Sequence, residues 1–427
     1  MTQPTFKITE DQIKDEQTIQ RKSYRGFNIY KYKKSMMNTN DWNCVDTMGK
    51  IRSVVVDNNG EMVCVSPVKS YDYNTFVKHY SVNDVWNGVQ CQDDEDHSDE
   101  NTENIIDKVM IEEYIEGTMI NVFYSEYDKR WHISTKSLID ANGSFFQSKK
   151  KFSDMFYEVL DERNMKLDDL RKEFCYSFVL RHPENRIVED IKTKDIILVG
   201  VYYIVKNHSE NNENGSYSIY SLDCRDTSLK QLHSGKTMEQ IFDRTPKIID
   251  CPTTSSVNMY VDDMCYNQVG LMIYAVQYNT ICINGVELNY HSIENRSKVR
   301  NFKYEYVRFL RGNQPKIDYH FCELLIDNRI DEFLKYYPEY TKDYEQFRKN
   351  MLKFERQLYK YYRQCYIQKQ RPLITFDYIY RPHMFKLHYD IYKKKLQPLH
   401  KRIEIHDIRQ YIHNLHPSQI MFVLSRC

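Results

Sequence analysis

Between Tyr344 and Cys365 the apolar side chains Tyr344, Phe347, Met351, Phe354, Leu358, Tyr361 and Cys365 are spaced 3, 4, 3, 4, 3, 4. That rhythm lines up side chains on one face of an α-helix and scatters them over both faces of a strand. The spacing predicts one long helix. Regular opposite charges do not flank the seam, so it reads as the core of a helical domain rather than a coiled-coil dimer. Pro372 and Pro382 bound the next connection. Met384, Leu387 and Ile391 predict a second helix, and Ile405, Ile408, Ile412 and Leu415 a third that stops near Pro417.

The chain before this region has a different texture. Ile51–Val56 and Met62–Val65 are β-type runs flanking Asp57-Asn58-Asn59-Gly60, the pattern of a hairpin. Residues 109–135 read as a strand pair turning near Tyr127-Asp128-Lys129. Residues 154–172 have helical period, and strands are expected at 174–181, 195–205, 217–221 and 270–276. Short strands mixed with a few helices give an α+β domain over roughly 25–310. The division expected is 1–310 and a helical 311–427.

Composition narrows the class. The chain has 427 residues, enough for two or three domains, and is 41% hydrophobic. No run of about 18 apolar residues occurs, so no spanning helix and no membrane partner are expected. Met1-Thr2-Gln3-Pro4 opens a polar stretch without a signal-peptide core. Eleven cysteines form no C-x-x-C pair, which argues against a zinc or disulfide framework and for a reducing, cytoplasmic setting. Many Tyr (36), few Gly (12) and abundant Lys, Asn and Ile suggest an AT-rich genome such as that of a large DNA virus, which would put the protein in host cytoplasm or the virion. The net charge of zero hides an asymmetry: residues 296–427 hold 27 Lys and Arg against 14 Asp and Glu, a net of +13, balanced by −13 upstream. An acidic run near 90–104 and an Asn/Ser-rich stretch from Asn207 to Ser216 read as surface insertions.

The informative segment is Glu113-Tyr114-Ile115-Glu116-Gly117-Thr118, between the β-type runs Lys108–Ile111 and Met119–Tyr124. Then come Ser134-Thr135-Lys136-Ser137 and Phe178-Val179-Leu180-Arg181-His182-Pro183-Glu184-Asn185-Arg186-Ile187-Val188. Further pieces are Ile51-Arg52-Ser53-Val54, Ser66-Pro67-Val68-Lys69, Val269-Gly270-Leu271-Met272, and Lys298-Val299-Arg300 followed by Tyr304. From about residue 50 to 305 this order resembles the bacteriophage-type RNA ligases among the covalent nucleotidyltransferases. Their motifs read E-K-x-D-G-S, T-R-G, F-E-x-x-x-P-x-N-R-I-V, E-G-x-V and K-x-K. The resemblance implies a nucleotidyltransferase (ATP-grasp-like) domain of mixed antiparallel sheets with helices, followed by an all-α C-terminal domain.

What the resemblance implies for the site is uneven. Tyr114 stands at the nucleophile position, where the family has the lysine that takes the nucleotide; an ordinary phenol is mostly protonated at neutral pH. Val179 and Val269 stand where the family has glutamates for ribose and metal. No catalytic residue and no metal ligand is therefore assigned. Arg52, Lys69, Glu116, Gly117, Lys136, Arg186, Lys298 and Arg300 are the nucleotide- or phosphate-binding positions carried over, the cations suiting phosphate. Separately, Lys393, Lys394, Lys395, Lys401 and Arg402 lie among Tyr389 and Tyr392, a composition suited to RNA as partner.

Three functions follow. The first is an RNA ligase-like binder of RNA ends or nucleotide phosphates without lysyl-nucleotide chemistry. The second is an active RNA ligase or capping-type enzyme with another nucleophile, Lys108 or Lys136, for which the resemblance implies ATP and Mg²⁺. The third is a structural or interaction protein of a virus particle. Half of the 14 histidines lie in the helical part, none at H-E-x-x-H spacing, and no Gly-rich phosphate loop is present.

Overall fold

The computed structural model describes residues 2–86, 106–145, 148, 150–207, 215–233 and 241–426. The acidic run near 90–104 and most of the stretch 207–216 lie outside these residues. The chain divides into two compact units, Met1–Arg308 and Phe309–Cys427.

The first unit is mixed α+β. Its strands are β1 (Phe6–Thr9), β2 (Ile19–Tyr24), β3 (Phe27–Tyr32), β4 (Val54–Asp57), β5 (Met62–Val65), β6 (Ser81–Val82), β7 (Val85–Trp86) and β8 (Lys108–Glu113). They continue as β9 (Thr118–Ser125), β10 (Arg130–Thr135), β11 (Leu138–Ile139), β12 (Phe174–Arg181), β13 (Asp195–Asn207), β14 (Ser216–Leu222), β15 (Gly270–Ile283) and β16 (Val286–Arg300). Nine of them run β11-β10-β9-β12-β13-β14-β16-β15-β8 in one antiparallel sheet, with β1 added on β14. A second sheet has the order β2-β3-β4-β5, and β6 pairs β7.

The large sheet cannot be flat. Six strand spacings separate β9 from β8, about 29 Å at about 4.8 Å each. Yet only residues 114–117 join Glu113 to Thr118, a connection that spans at most about 18 Å. The sheet therefore curls and brings its β8 edge back towards β9. The expected pair over 109–135 is β9 with β10, whereas β8 pairs β15, Leu271 opposite Glu113.

Three cores follow from the two faces of this sheet. Met155, Phe156, Val159 and Leu160 of the helix Phe152–Glu162 pack on Ile120, Tyr176, Phe178 and Leu198. That helix ends earlier than its periodicity over 154–172 suggests: Asn164 takes φ 54°, and Leu167 and Leu170 reach the same core from the turn after it. Phe27, Ile29, Val54, Val55 and Val65 of the small sheet pack on Phe123, Cys175, Tyr202 and Ile219. Phe76, Tyr80, Val257 and Val261 cover Leu271, Ile273 and Ala275.

From Ile317 onward every described regular element is helical. The helix Thr341–Tyr362 buries Phe347, Met351, Phe354, Leu358 and Tyr362. Phe347 meets Phe321, and Phe354 stacks on Tyr380 at 5.2 Å. The helix Arg381–Lys386 runs on through wide, π-type turns over Leu387–Leu396. Pro417 opens the helix Pro417–Leu424 at its first turn, where its missing N–H has no partner to lose. No described helix is long and apolar enough to cross a membrane.

Gly270 shows how tightly β15 and β16 fit. At φ +138° a Cβ there would lie 2.0 Å from the Val299 carbonyl oxygen. Gly270→Ala is expected to destabilise the protein by at least about 2 kcal/mol, read as a lower denaturant midpoint by circular dichroism. An unchanged midpoint would contradict this strand packing.

Candidate functional site

The site begins with the segment Ser66–Tyr71, which leaves β5 and crosses to β16. The Tyr71 N–H donates to the Arg296 carbonyl at 2.9 Å, and the Ser297 hydroxyl donates to the Tyr71 carbonyl at 3.1 Å. At its other end Asn121 of β9 donates to Ser66 Oγ at 2.8 Å and accepts from Ser177 of β12 at 2.9 Å. Between these anchors, Pro67 offers one carbonyl to two guanidiniums. Arg52 and Arg296 each donate to it at 3.2 Å.

Around this carbonyl the fold gathers cations from four places. Arg52 precedes β4, Lys69 follows β5, Lys136 follows β10, and Arg296, Lys298 and Arg300 alternate along the end of β16. Alternation puts these last three on one face of the strand. Arg296 was not among the sequence candidates, although its i, i+2, i+4 spacing with Lys298 and Arg300 was the available signal. Among the described residues Arg300 pairs with Glu305 at 2.7 Å, and no carboxylate lies within ion-pairing distance of the other five. The Nε atoms of Arg296 and Arg300 are buried without a hydrogen-bond partner.

Their mutual proximity registers in the acid–base chemistry. Burial, then Lys298, Arg52, Arg296 and Arg300, pull Lys69 down to about 8. Burial, Arg300, Arg52, Arg296 and Arg308 bring Lys298 to about 8. Burial, Arg52, Lys31, Lys69 and Lys34 do the same for Lys136. Burial and Arg296 lower Arg52 to about 10. Desolvated like charges with no counter-ion are costly, and a bound polyanion removes that cost.

Tyr114 lies beside this cluster, with the Arg300 guanidinium 5.9 Å from its ring centroid. Tyr114 also lines a separate cleft of about 240 Å³ with Glu113, Tyr260, Gln268 and Val269, and Arg52, Lys69 and Lys136 are not among the residues that line it. Val179 and Val269 are buried and present no oxygen.

Other motif positions are turned to different work. Both Glu116 carboxylate oxygens accept from backbone: Ile187, Val188 and Glu189 donate at 3.0–3.1 Å. Burial raises its pKa, and these bonds together with the Tyr304 hydroxyl oppose the rise. Asn185 donates to Thr118 Oγ1 at 2.9 Å. Arg186 donates to the Val188 carbonyl of its own loop at 3.3 Å. Gly117 is required by packing, since a Cβ would lie 2.4 Å from the Leu180 carbonyl oxygen and 2.6 Å from Val179 Cγ1. Lys108 sits on β8 with its ammonium 4.9 Å from the Tyr278 ring centroid.

The metal that the resemblance implies does not fit these residues. The valines carry no ligand atom, and the nearby Glu116 has its oxygens taken by amides. Among the described residues no group of three or more His, Cys, Asp or Glu is placed to hold a metal ion.

In the second unit, Lys393, Lys394, Lys395, Lys401 and Arg402 are exposed. The Lys393 ammonium lies 4.8 Å from the Tyr389 ring centroid, and Lys394 pairs with Asp390 at 2.7 Å. His388 stacks on Tyr366 at 3.9 Å, joining two stretches of π-type turns.

The cluster dictates a pH dependence. An anion binds the charged lysines, so affinity for inorganic tripolyphosphate is expected to fall above pH 8, by up to about tenfold per unit for each lysine that titrates. Folding of the unliganded protein responds the other way. The three lysines have folded pKa values near 8, below the ordinary 10.5, so the unfolded chain holds more protons between those values. Stability of the unliganded protein therefore rises with pH across that window. Calorimetric titration and denaturant melts at pH 7, 8 and 9 check both signs, and pH-independent affinity would contradict the cluster.

No family model matches the chain. It is 32% identical over 98 residues to an RNA ligase of Rhodothermus phage RM378, a match covering 21% of this chain and 22% of that protein. The matched stretch is thus about a fifth of the relative's length. A solved structure of a lysine-to-alanine mutant of Naegleria gruberi RNA ligase with ATP and Mn is matched over 46% of this chain and 50% of that one, at 10% identity and a TM-score of 0.28. The chain is similar to RNA ligases at this level.

Proposed function

We propose that this protein is an RNA ligase-like protein of the nucleotidyltransferase fold that binds RNA ends or nucleotide phosphates and forms no lysyl-nucleotide adduct. The observation that carries this reading is the gathering of Arg52, Lys69, Lys136, Arg296, Lys298 and Arg300 around the Pro67 carbonyl, beside an aromatic Tyr114. Such a pocket suits phosphate oxygens: Arg supplies paired N–H donors and Lys a point charge. Tyr114 lies against Arg300 at the edge of the cluster and leaves the site without an amine at the family's nucleophile position.

One observation favours the second reading, an active enzyme with a non-standard nucleophile. Lys136 is brought to about 8, so part of it is unprotonated amine near neutral pH. Incubation with α-labelled ATP or GTP, divalent metal and a denaturing gel separates the two. No labelled band is expected with either nucleotide. A stable band that disappears in Lys136→Ala would sink the adduct-free reading. Tyr114→Lys alone is expected to stay inactive, because Val179 and Val269 still occupy the positions of two acidic contacts.

The exposed basic surface of Phe309–Cys427 supports a second point of RNA contact. Reversing Lys393, Lys394 and Lys395 to Glu in the full chain is expected to weaken single-stranded RNA binding for every sequence tried. The salt slope should flatten by about 0.7 for each phosphate no longer engaged. Titrating labelled RNA at two salt concentrations checks it. Unchanged binding would assign those lysines to solvation alone, and no RNA binding by the unmodified chain would favour the virus-particle interaction role.

A further inference from the structure

The cations do not end at the pocket. Beyond Lys136 the chain turns through Ser137, and this turn is held against β2 and β3. Lys31 Nζ donates to Ser137 Oγ at 2.7 Å, and the Tyr24 hydroxyl donates to the Ser137 carbonyl at 2.5 Å. Lys136 itself lies with its ammonium 4.7 Å from the Tyr32 ring centroid. Lys22 continues the line, 5.1 Å from the Tyr24 ring centroid. Lys22 and Lys34 are exposed, and Lys31 and Lys136 half-buried.

Three cations lie over rings, Arg300 over Tyr114, Lys136 over Tyr32 and Lys22 over Tyr24, and repulsion links Lys136 to Lys31 and Lys34, and Lys31 to Lys22. The rings fix each ammonium or guanidinium without neutralising it. Among the described residues no carboxylate pairs with Lys22, Lys31, Lys34 or Lys136. Burial and Lys22 lower the pKa of Lys31, in keeping with its place in a run of like charges.

One phosphate, or the phosphates of one nucleotide, needs only the pocket. A row of cations without counter-ions leading out of it suits a ligand with regularly repeated charge. We infer that the pocket continues as a track over Lys136, Lys31, Lys34 and Lys22 that takes the sugar–phosphate backbone of a single RNA strand whose terminal phosphate sits among Arg52, Lys69 and Lys298. The inference rests on the phosphate-pocket reading and adds the ligand's class and its direction of approach. A strand on the track makes electrostatic contacts that weaken with salt, and its bases are not read by sequence.

The test uses the full chain with three probes: inorganic tripolyphosphate, AMP, and oligoadenylates of two to ten nucleotides with and without a terminal phosphate. The C-terminal lysines are intact in every variant, so their contribution is common to all. Affinity is expected to rise with strand length over the first few nucleotides, more steeply with the terminal phosphate. Lys22→Glu/Lys31→Glu should weaken phosphorylated strands about tenfold or more and reduce the salt slope by about 1.4, with a smaller loss for tripolyphosphate, which feels Lys31 through its neighbour Lys136. Lys22→Ala/Lys34→Ala, both at exposed positions, should act in the same direction with no cost in folding. Lys298→Ala should weaken all probes. If tripolyphosphate binds and strand affinity ignores both double variants, the track is overturned and the pocket stands. If tripolyphosphate fails to bind the unmodified chain, the pocket reading falls and the track falls with it.

Discussion

Two guanidiniums sharing the Pro67 carbonyl are the constraint around which the first unit is arranged. Like charges this close repel, and little water remains to screen them. The carbonyl dipole offsets part of the repulsion, and the anchoring of the segment at both ends supplies the rest. Ser66 is fixed to Asn121, and Tyr71 is fixed to the end of β16. The segment between them cannot withdraw without breaking the junction of the two sheets. The curled sheet completes the arrangement, because the short connection from Glu113 to Thr118 draws Tyr114 to the end of β15 and β16, where its N–H donates to the Gly270 carbonyl at 3.0 Å. Stability is thereby sacrificed locally for a concentrated positive potential, a trade seen where charged ligands are received.

The residues around Glu116 carry a different lesson. Glu116, Thr118 and Asn185 all stand at motif positions of the family resemblance, and Glu116 is one that it links to nucleotide contact. Thr118 and Asn185 bond each other, and Glu116 accepts from the backbone of 187–189 and from the Tyr304 hydroxyl. A buried carboxylate that satisfies three amides is a structural clamp in its own right. Gly117 and Gly270 likewise answer to carbonyls that would strike a Cβ. A motif can therefore persist in sequence because the strands it joins need it, whatever chemistry passes through the site.

The runs at β4, β5, β9 and β12 were legible in their residue pattern, rich in β-branched and aromatic side chains, although β12 is buried on both faces rather than in alternation. The helix Thr341–Tyr362 was legible because one face is buried and its period of about 3.6 survives. The partner of β8 was not. Pairing with β15, more than 150 residues away in sequence, depends on sheet closure, and nothing local in Lys108–Glu113 encodes it. Lys69, Lys136, Lys298 and Arg300 were singled out by motif position, but their shared neighbourhood with Arg296 required the crossing of Ser66–Tyr71 over β16. The end of the helix Phe152–Glu162 was hidden because Leu167 and Leu170 keep the helical rhythm while reaching the core from a turn.

Three amines held near pH 8 also have a reactive consequence. Acylating and imine-forming reagents attack the unprotonated amine, and ordinary surface lysines offer almost none of it at neutral pH. Lys69, Lys136 and Lys298, which burial and neighbouring cations lower to about 8, hold a larger fraction of it. Limited modification at pH 7 would therefore fall on the pocket ahead of the many solvent-facing lysines. A bound polyanion would protect the same three positions, so the order in which lysines acquire label becomes a footprint of occupancy that needs no assumption about catalysis.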